Sequence, residues 1–235
     1  MKLLTRLSVF LPLAVTLVWL QFLPERVPLR YDFSGVVDHW GSKWENFLLP
    51  GIVLLLGALF WLADCQLRRS AKENEQKSAY GATNRKVLRV IMIATALFFT
   101  GFQAFLLHQQ AQAGAAVPLQ ISAFTAIGMG VLFIVLGNVM PKSRRNSVMG
   151  LRCAWSQYND VTWQRSNRFG GIVLAASGLV SIVGALLGAD AQAIPIMLTA
   201  LLLALVLSLI YARRVFLRER EKVEAQKGGI VPPEA

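Results

Sequence analysis

Charge is scarce in this chain, and so are histidine and cysteine. Only 16% of the 235 residues are charged, against 55% hydrophobic, too much apolar surface for an ordinary soluble domain of this size. The two histidines, His39 and His108, even joined by Asp32 and Asp38, are too sparse and too irregularly spaced for a metal centre. No His-Glu pair stands at helical spacing, no glycine-rich loop is laid out to cradle phosphate, and there is no nucleophile elbow. Hydrolytic and nucleotide chemistry therefore lack their usual carriers. The expectation is a protein that is not an enzyme and uses neither metal nor cofactor. Cys65 and Cys153 are the only cysteines, and both fall on the side expected to face a reducing cytoplasm, which disfavours a structural disulfide.

What the chain has instead is long apolar runs. A bilayer core of about 30 Å takes roughly 20 apolar residues in a helix, and six windows qualify: Leu7 to Leu23, Phe47 to Ala63, Val90 to Leu107, Pro118 to Val139, Phe169 to Gly188 and Ala193 to Tyr211. The first follows Lys2 and Arg6, as a secretory signal would, but the sequence runs on as "WLQFLPER" with no small-x-small cleavage site. It reads as an uncleaved span. The predicted class is all-α, a polytopic bundle of about six transmembrane helices.

Basic residues orient the bundle. If alternate connectors lie on alternate sides, one side holds all but Arg26, Arg30 and Lys43 of the 24 Lys and Arg. The positive-inside rule then puts both termini in the cytoplasm and the loop 24–46 outside. A formal net charge of +11 needs no direct nucleic acid, since basic loops beside anionic membrane lipids account for it; recruitment of an acidic cytoplasmic protein is the alternative. The expected units are 1–64, a pair of spans around that outer loop; 65–89, a basic cytoplasmic loop; 90–212, a four-span unit with a cytoplasmic loop at 137–168; and a tail, 213–235, helical at first and then disordered. None of the six tryptophans falls at a predicted midplane, as interfacial preference requires.

The spans carry no ionisable residue near a midplane, which argues against a proton-coupled transporter. The fifth is rich in small residues, with Gly171 and Gly178 seven apart and a GxxxG in "GALLG" (184–188). Close helix packing at the centre of the bundle is the favoured reading. A solute path along that face, in a transporter or channel-like protein, is the alternative.

Two connectors look specified. The inner one reads "GNVMPKSRRNSVMGLRCAWSQYNDVTWQRSNRFGG". Its Gly137, Asn138, Pro141, Asn146, Gly150, Arg152, Trp155, Trp163 and Arg168 follow the signature of the SdpI family of bacterial membrane proteins, which it resembles. The outer one, "VPLRYDFSGVVDHWGSKWENFLLPGI", is similar through Gly35, Asp38, Gly41, Lys43, Leu49 and Pro50 to the N-terminal domain of unknown function that often precedes the SdpI region. The family's usual Pro-Trp-Thr-Leu is Ala154 to Gln157 here, and its usual His before the last Arg is Asn167. The resemblance implies a multi-pass protein of a bacterial inner or plasma membrane that gives immunity to a membrane-active peptide toxin. It also implies signalling, by holding a cytoplasmic regulator protein at the membrane.

The residues also have plain physical roles. Asn138 can bond frayed helix-end groups, Pro141 stops the fourth helix, and Gly150 permits a left-handed turn. Arg152 can fork onto a phosphate, a carboxylate or helix-end carbonyls. Asn159 or Asp160 is an N-cap for a helix passing through Trp163 and Arg168, which lays Trp155 and Trp163 flat at headgroup level. The inner loop is then either a clamp holding two helices in register or a docking surface. In the outer loop, Tyr31, Phe33, Trp40 and Trp44 interleave with charges, as a contact for an amphipathic peptide or as a cover over the bundle.

Overall fold

The computed structural model describes residues 2–31, 37–73, 75–112, 121–188 and 190–227. Six helices run back and forth: α1 (Lys2–Trp19), α2 (Leu48–Glu73), α3 (Glu75–Ala111), α4 (Ile121–Val139), α5 (Asp160–Leu187) and α6 (Asp190–Lys227). Five are long and apolar enough to cross a membrane, and α1 is a shorter apolar helix. The chain is an all-α polytopic membrane bundle. Residues 228–235, the expected disordered tail, lie outside the described residues.

Two departures from the sequence reading occur at the first connector. The apolar run 7–23 is not all helix, because α1 starts at Lys2 and ends at Trp19. Leu20 and Leu23 leave the helix to pack, with Val27, against Leu107 of α3, and Pro24 disfavours helical backbone before it. The outer loop is not irregular either. It holds an antiparallel hairpin, β1 (Arg26–Tyr31) and β2 (Val37–Ser42), with Val27 opposite Gly41 and Pro28 opposite Trp40. Pro28 is tolerated because each strand of a two-stranded ribbon is an edge. A 3-10 turn, Lys43–Phe47, leads into α2; the Ser42 N–H donates to Glu45 Oε1 at 2.9 Å.

The basic connector 65–89 is helical throughout its described length, formed by the end of α2 and the start of α3. Asp64 anchors it, accepting from Arg68 one turn on at 2.7 Å and from Arg85 of α3 at 2.6 Å. At the other end of the same helices a buried polar seam ties α1, the 3-10 turn before α2, and α3 together. Gln103 Nε2 donates to Thr16 Oγ1 at 2.9 Å and to the Asn46 carbonyl at 3.1 Å, and Asn46 Nδ2 donates to Gln110 Oε1 at 2.8 Å. Buried amides and hydroxyls are costly unless paired in this way.

The second group, α4 to α6, packs through small residues, and α5 is the most buried of the five long helices. A Cβ on Gly137 would stand 2.4 Å from the Gly171 carbonyl oxygen, and one on Gly178 would stand 2.4 Å from that of Gly130. The two contacts recur at a seven-residue spacing on each helix, so the backbones touch along two turns. The GxxxG of "GALLG" is not the contact face: Gly184 meets Ile196 of α6, and Gly188 terminates α5. Asp190 Oδ1, at the start of α6, accepts from the Ala123 N–H at 2.7 Å, satisfying one of the orphan donors of the α4 N-terminus. The two groups meet where Phe105 of α3 stacks on Phe124 of α4 with centroids 4.0 Å apart.

A side chain at the glycine contacts must force the helices apart, an overpacking cost of about 1–3 kcal/mol. Gly137→Val is expected to lower the melting temperature of detergent-purified protein by several degrees. Gly51→Ala, where the added methyl meets nothing within 4 Å, should leave it unchanged or slightly higher. Equal melting temperatures for the two variants would refute the backbone contact.

Candidate functional site: a clamped loop at the basic end

The α4–α5 contact brings the exit of one helix beside the entry of the other, and residues 140–159 fold back over that junction. Pro141 sits in a single 3-10 turn, Met140–Lys142, where it cannot continue the helix. Ser143 closes that turn by donating from its N–H and its Oγ to the Met140 carbonyl. The frayed carbonyl is thereby satisfied without Asn138, which is exposed and has no hydrogen-bond partner among the described residues. The sequence role assigned to Asn138 is therefore not the one it plays.

Trp163 is fully buried rather than flat at the headgroups. Its Nε1 donates to the Ser143 carbonyl at 3.0 Å, so the indole is a strut between α5 and the end of α4. Asn167, one turn further on and also fully buried, accepts from the Leu151 N–H at 2.8 Å and donates to the Trp163 carbonyl at 3.0 Å. Gly150 lies directly above the pair with φ +97°. A Cβ there would stand 2.5 Å from Asn167 Oδ1 and 3.0 Å from the Trp163 ring, so glycine is required twice, for conformation and for space.

The rest of the loop is equally pinned. Asn146 Oδ1 accepts from the N–H groups of Val148 and Met149 at 2.7 and 2.8 Å, a side-chain-closed turn of the Asx type, and its carbonyl accepts from Gln157 Nε2 at 3.0 Å. Ser156 Oγ donates to the Leu151 carbonyl at 2.6 Å. Asn159 caps α5, accepting from the Thr162 N–H at 2.7 Å while Thr162 Oγ1 accepts from the Asn159 N–H. Beside it, Arg145 Nε stands 3.1 Å from Asp160 Oδ1, an ion pair without hydrogen-bond alignment. Asn84 of α3 docks the loop onto the first helix group, accepting from the Arg144 N–H at 2.7 Å, and Val87 and Leu88 pack with Val139 and Met149 beneath it.

What this clamp presents outward is cationic. Arg152 and Arg168 are exposed and have no hydrogen-bond or ion-pair partner among the described residues, so Arg152 does not fork onto a helix end. Arg144 lies over the Tyr80 ring at 5.7 Å, while Arg165 pairs with Glu219 of α6 at 3.5 Å. Trp155 is half-buried. Thus Gly137, Pro141, Asn146, Gly150 and Trp163 build or hold the loop, with Arg152 available on it and Arg168 on α5 beside it. Sequence reasoning missed Asn84 and Asn167, the two buried amides that hold it. A lone Asn in a polar segment carries no signal of its partner, although the replacement of the family's usual His by Asn167 did mark that position.

At the opposite end, Asp38 pairs across the hairpin with Arg30, whose Nε donates to Oδ2 at 2.8 Å. Lys43 folds back on Glu25 at 2.8 Å and lies 5.8 Å from the Trp44 ring centroid. Gly41 is wedged against Leu29 and Glu45 with no room for a Cβ. Trp40 and Trp44 are 50% and 59% exposed, while Val27 of the same hairpin packs against Leu107 of α3. His39 lies on β2, and His108 meets Trp19 edge-on at 5.9 Å. Gly35, Asp32 and Phe33 lie outside the described residues.

The inner loop and the two helices that follow it, residues 142–212, match the model of the SdpI/YfhL protein family. That stretch resembles SdpI/YfhL proteins. Residues 7–54, comprising α1, the hairpin and the start of α2, match a domain of unknown function (DUF1648). The chain is also 24% identical over 201 residues to "Immunity protein SdpI" of Bacillus subtilis (strain 168), an alignment covering 85% of this chain and 88% of that protein. No solved structure matches. The SdpI/YfhL match begins at Lys142, so Gly137, Asn138 and Pro141 stand just before it, while Asn146 to Arg168 lie inside.

Removing Asn167 should strand the Leu151 N–H in a buried site, at about 1–3 kcal/mol, and Gly150→Ala adds strain. Both variants are expected to melt several degrees lower in detergent. Arg152→Ala should melt within about a degree of the parent and accumulate within about twofold of it. A marked loss of stability in Arg152→Ala would show that the arginine belongs to the clamp.

Proposed function

We propose that this protein is an immunity-type membrane protein that protects its host cell from a membrane-active peptide acting at the hairpin side. In this reading the basic loop serves as a docking surface for a cytoplasmic regulator. The observation that carries it is the alignment with an immunity protein over 85% of the chain, long enough to take in part of both the hairpin unit and the stretch that matches SdpI/YfhL. Physical features support it. A peptide that discharges a membrane first collects at the headgroup layer with its apolar face buried and its charge near lipid. Exposed Trp40 and Trp44 beside the Arg30–Asp38 pair offer that kind of surface, and aromatic rings suit the interface. The loop and the start of α5, for their part, hold Arg152 and Arg168 on a backbone already fixed by hydrogen bonds, so docking there orders little.

Sidedness comes first. With Cys65 and Cys153 replaced by Ser, a cysteine at the exposed Glu25 should react with a membrane-impermeant thiol reagent in intact cells, and one at the exposed Ser147 should react only after permeabilisation. The reverse pattern would place the hairpin in the cytoplasm and end the proposal. Protection is then read with a potential-sensitive dye while a panel of membrane-active peptides is added. Cells making the protein should keep their potential against at least one peptide, and Asp38→Ala combined with Trp44→Ala should lose that protection at unchanged abundance. If no peptide is resisted, and the purified protein moves a solute across liposomes, transport replaces immunity.

A further inference from the structure

A groove of about 390 Å³ opens on the outside of the first helix group, between α1 and the paired helices α2 and α3. Its walls are apolar, from Val9 on α1 to Leu54 and Phe60 on α2 and Met92 on α3. Its mouth at the basic end is lined by Arg6, Asp64, Arg68 and Arg89. Asp64 is already neutralised by Arg68 and by Arg85. Arg6 and Arg89 have no hydrogen-bond or ion-pair partner among the described residues, so the mouth carries two uncompensated cations.

The dimensions select the occupant. From Leu54 to Arg68 along α2 is about 21 Å at the helical rise of 1.5 Å per residue, which is half of a 30 Å hydrocarbon core plus part of one headgroup layer. The groove thus runs from near the bilayer midplane to the phosphate level of one leaflet. A free phosphate would leave the apolar walls empty. A neutral apolar molecule would leave Arg6 and Arg89 unpaired at the mouth.

The geometry points to a resident anionic phospholipid of the leaflet at the basic end, one acyl chain lying along Val9, Leu54, Phe60 and Met92 and its phosphate held by Arg6 and Arg89. Arginine suits this role because its planar fork can bind phosphate oxygens two at a time. The lipid fills a gap that protein side chains leave open where α1 meets the helix pair. It would therefore add packing surface to α1, the shortest of the six helices.

The test uses the full chain in detergent with phosphatidylglycerol or phosphatidylcholine as the probe, read by native mass spectrometry and by melting temperature. The parent protein should retain phosphatidylglycerol with about tenfold preference over phosphatidylcholine and should be stabilised by adding it. Arg6→Gln with Arg89→Gln should lose the preference and the stabilisation. Arg213→Gln with Arg214→Gln, exposed on α6, should keep both. Should the first pair fail to fold, Ala58→Trp, which places a ring in the groove without touching its charges, is expected to lower occupancy of either lipid. Preference that survives the first pair, occupancy that survives Ala58→Trp, or loss of preference in the α6 pair would each overturn the site.

Discussion

The backbone contact between α4 and α5 is the constraint on which the second half of the molecule rests. In lipid, apolar side chains gain nothing by leaving their solvent, so helices associate through close packing and polar contacts. Gly130 and Gly137 on one helix, with Gly171 and Gly178 on the other, let the backbones meet. That contact sets the distance between Val139 and Asp160, and with it the span that the inner loop must cover. Trp163 and Asn167 project from the first two turns of α5 into the space so defined, and the loop wraps them. The loop's shape is thus a consequence of helix packing, fixed from beneath by side chains of α5.

The first half is held differently. Its helices meet through Thr16, Asn46, Gln103 and Gln110 at one end and through Asp64 and Arg85 at the other. Interhelical hydrogen bonds in membranes average about 0.6 kcal/mol, so each is a modest stabiliser. Their larger effect is on register, because a slip of any one helix strands several buried polar groups at once. α3 takes part in both sets, and its Asn84 also bonds the inner loop. It is the helix that joins the hairpin unit to the stretch that matches SdpI/YfhL, at its basic end by Asn84 and in the apolar region by the Phe105–Phe124 stack.

The two faces of the bundle differ in how their charges are used. At the hairpin face Arg30 and Lys43 are paired with Asp38 and Glu25, which leaves exposed tryptophan and a single cationic side chain, Arg26, without a partner among the described residues. At the basic face the acids are too few, and Arg6, Arg89, Arg152 and Arg168 remain uncompensated among the described residues. Two of these line the groove beside α1, one stands on the inner loop and one near the start of α5. One excess of positive charge is therefore spread over the side of the bundle and its end.

What could be read in the sequence follows from how local each signal is. The five long spans, the helix stop at Pro141, the left-handed turn at Gly150 and the cap at Asn159 all depend on residues within a few positions, and the structure has each of them, whereas the first span ends earlier than its apolar run. The hairpin was not legible because its strands are short and carry Pro28 and Gly41, residue types that argue against a strand. Trp163 was misread as an interfacial ring for a related reason: nothing near it in sequence announces that the Ser143 carbonyl waits for its N–H. Asn84 and Gln103 lie 60 and 87 positions from their partners Arg144 and Thr16. A buried amide in a membrane bundle acquires its meaning only from the helix across from it, and helix neighbours are decided by glycines and by pairs of this sort, which no single segment contains.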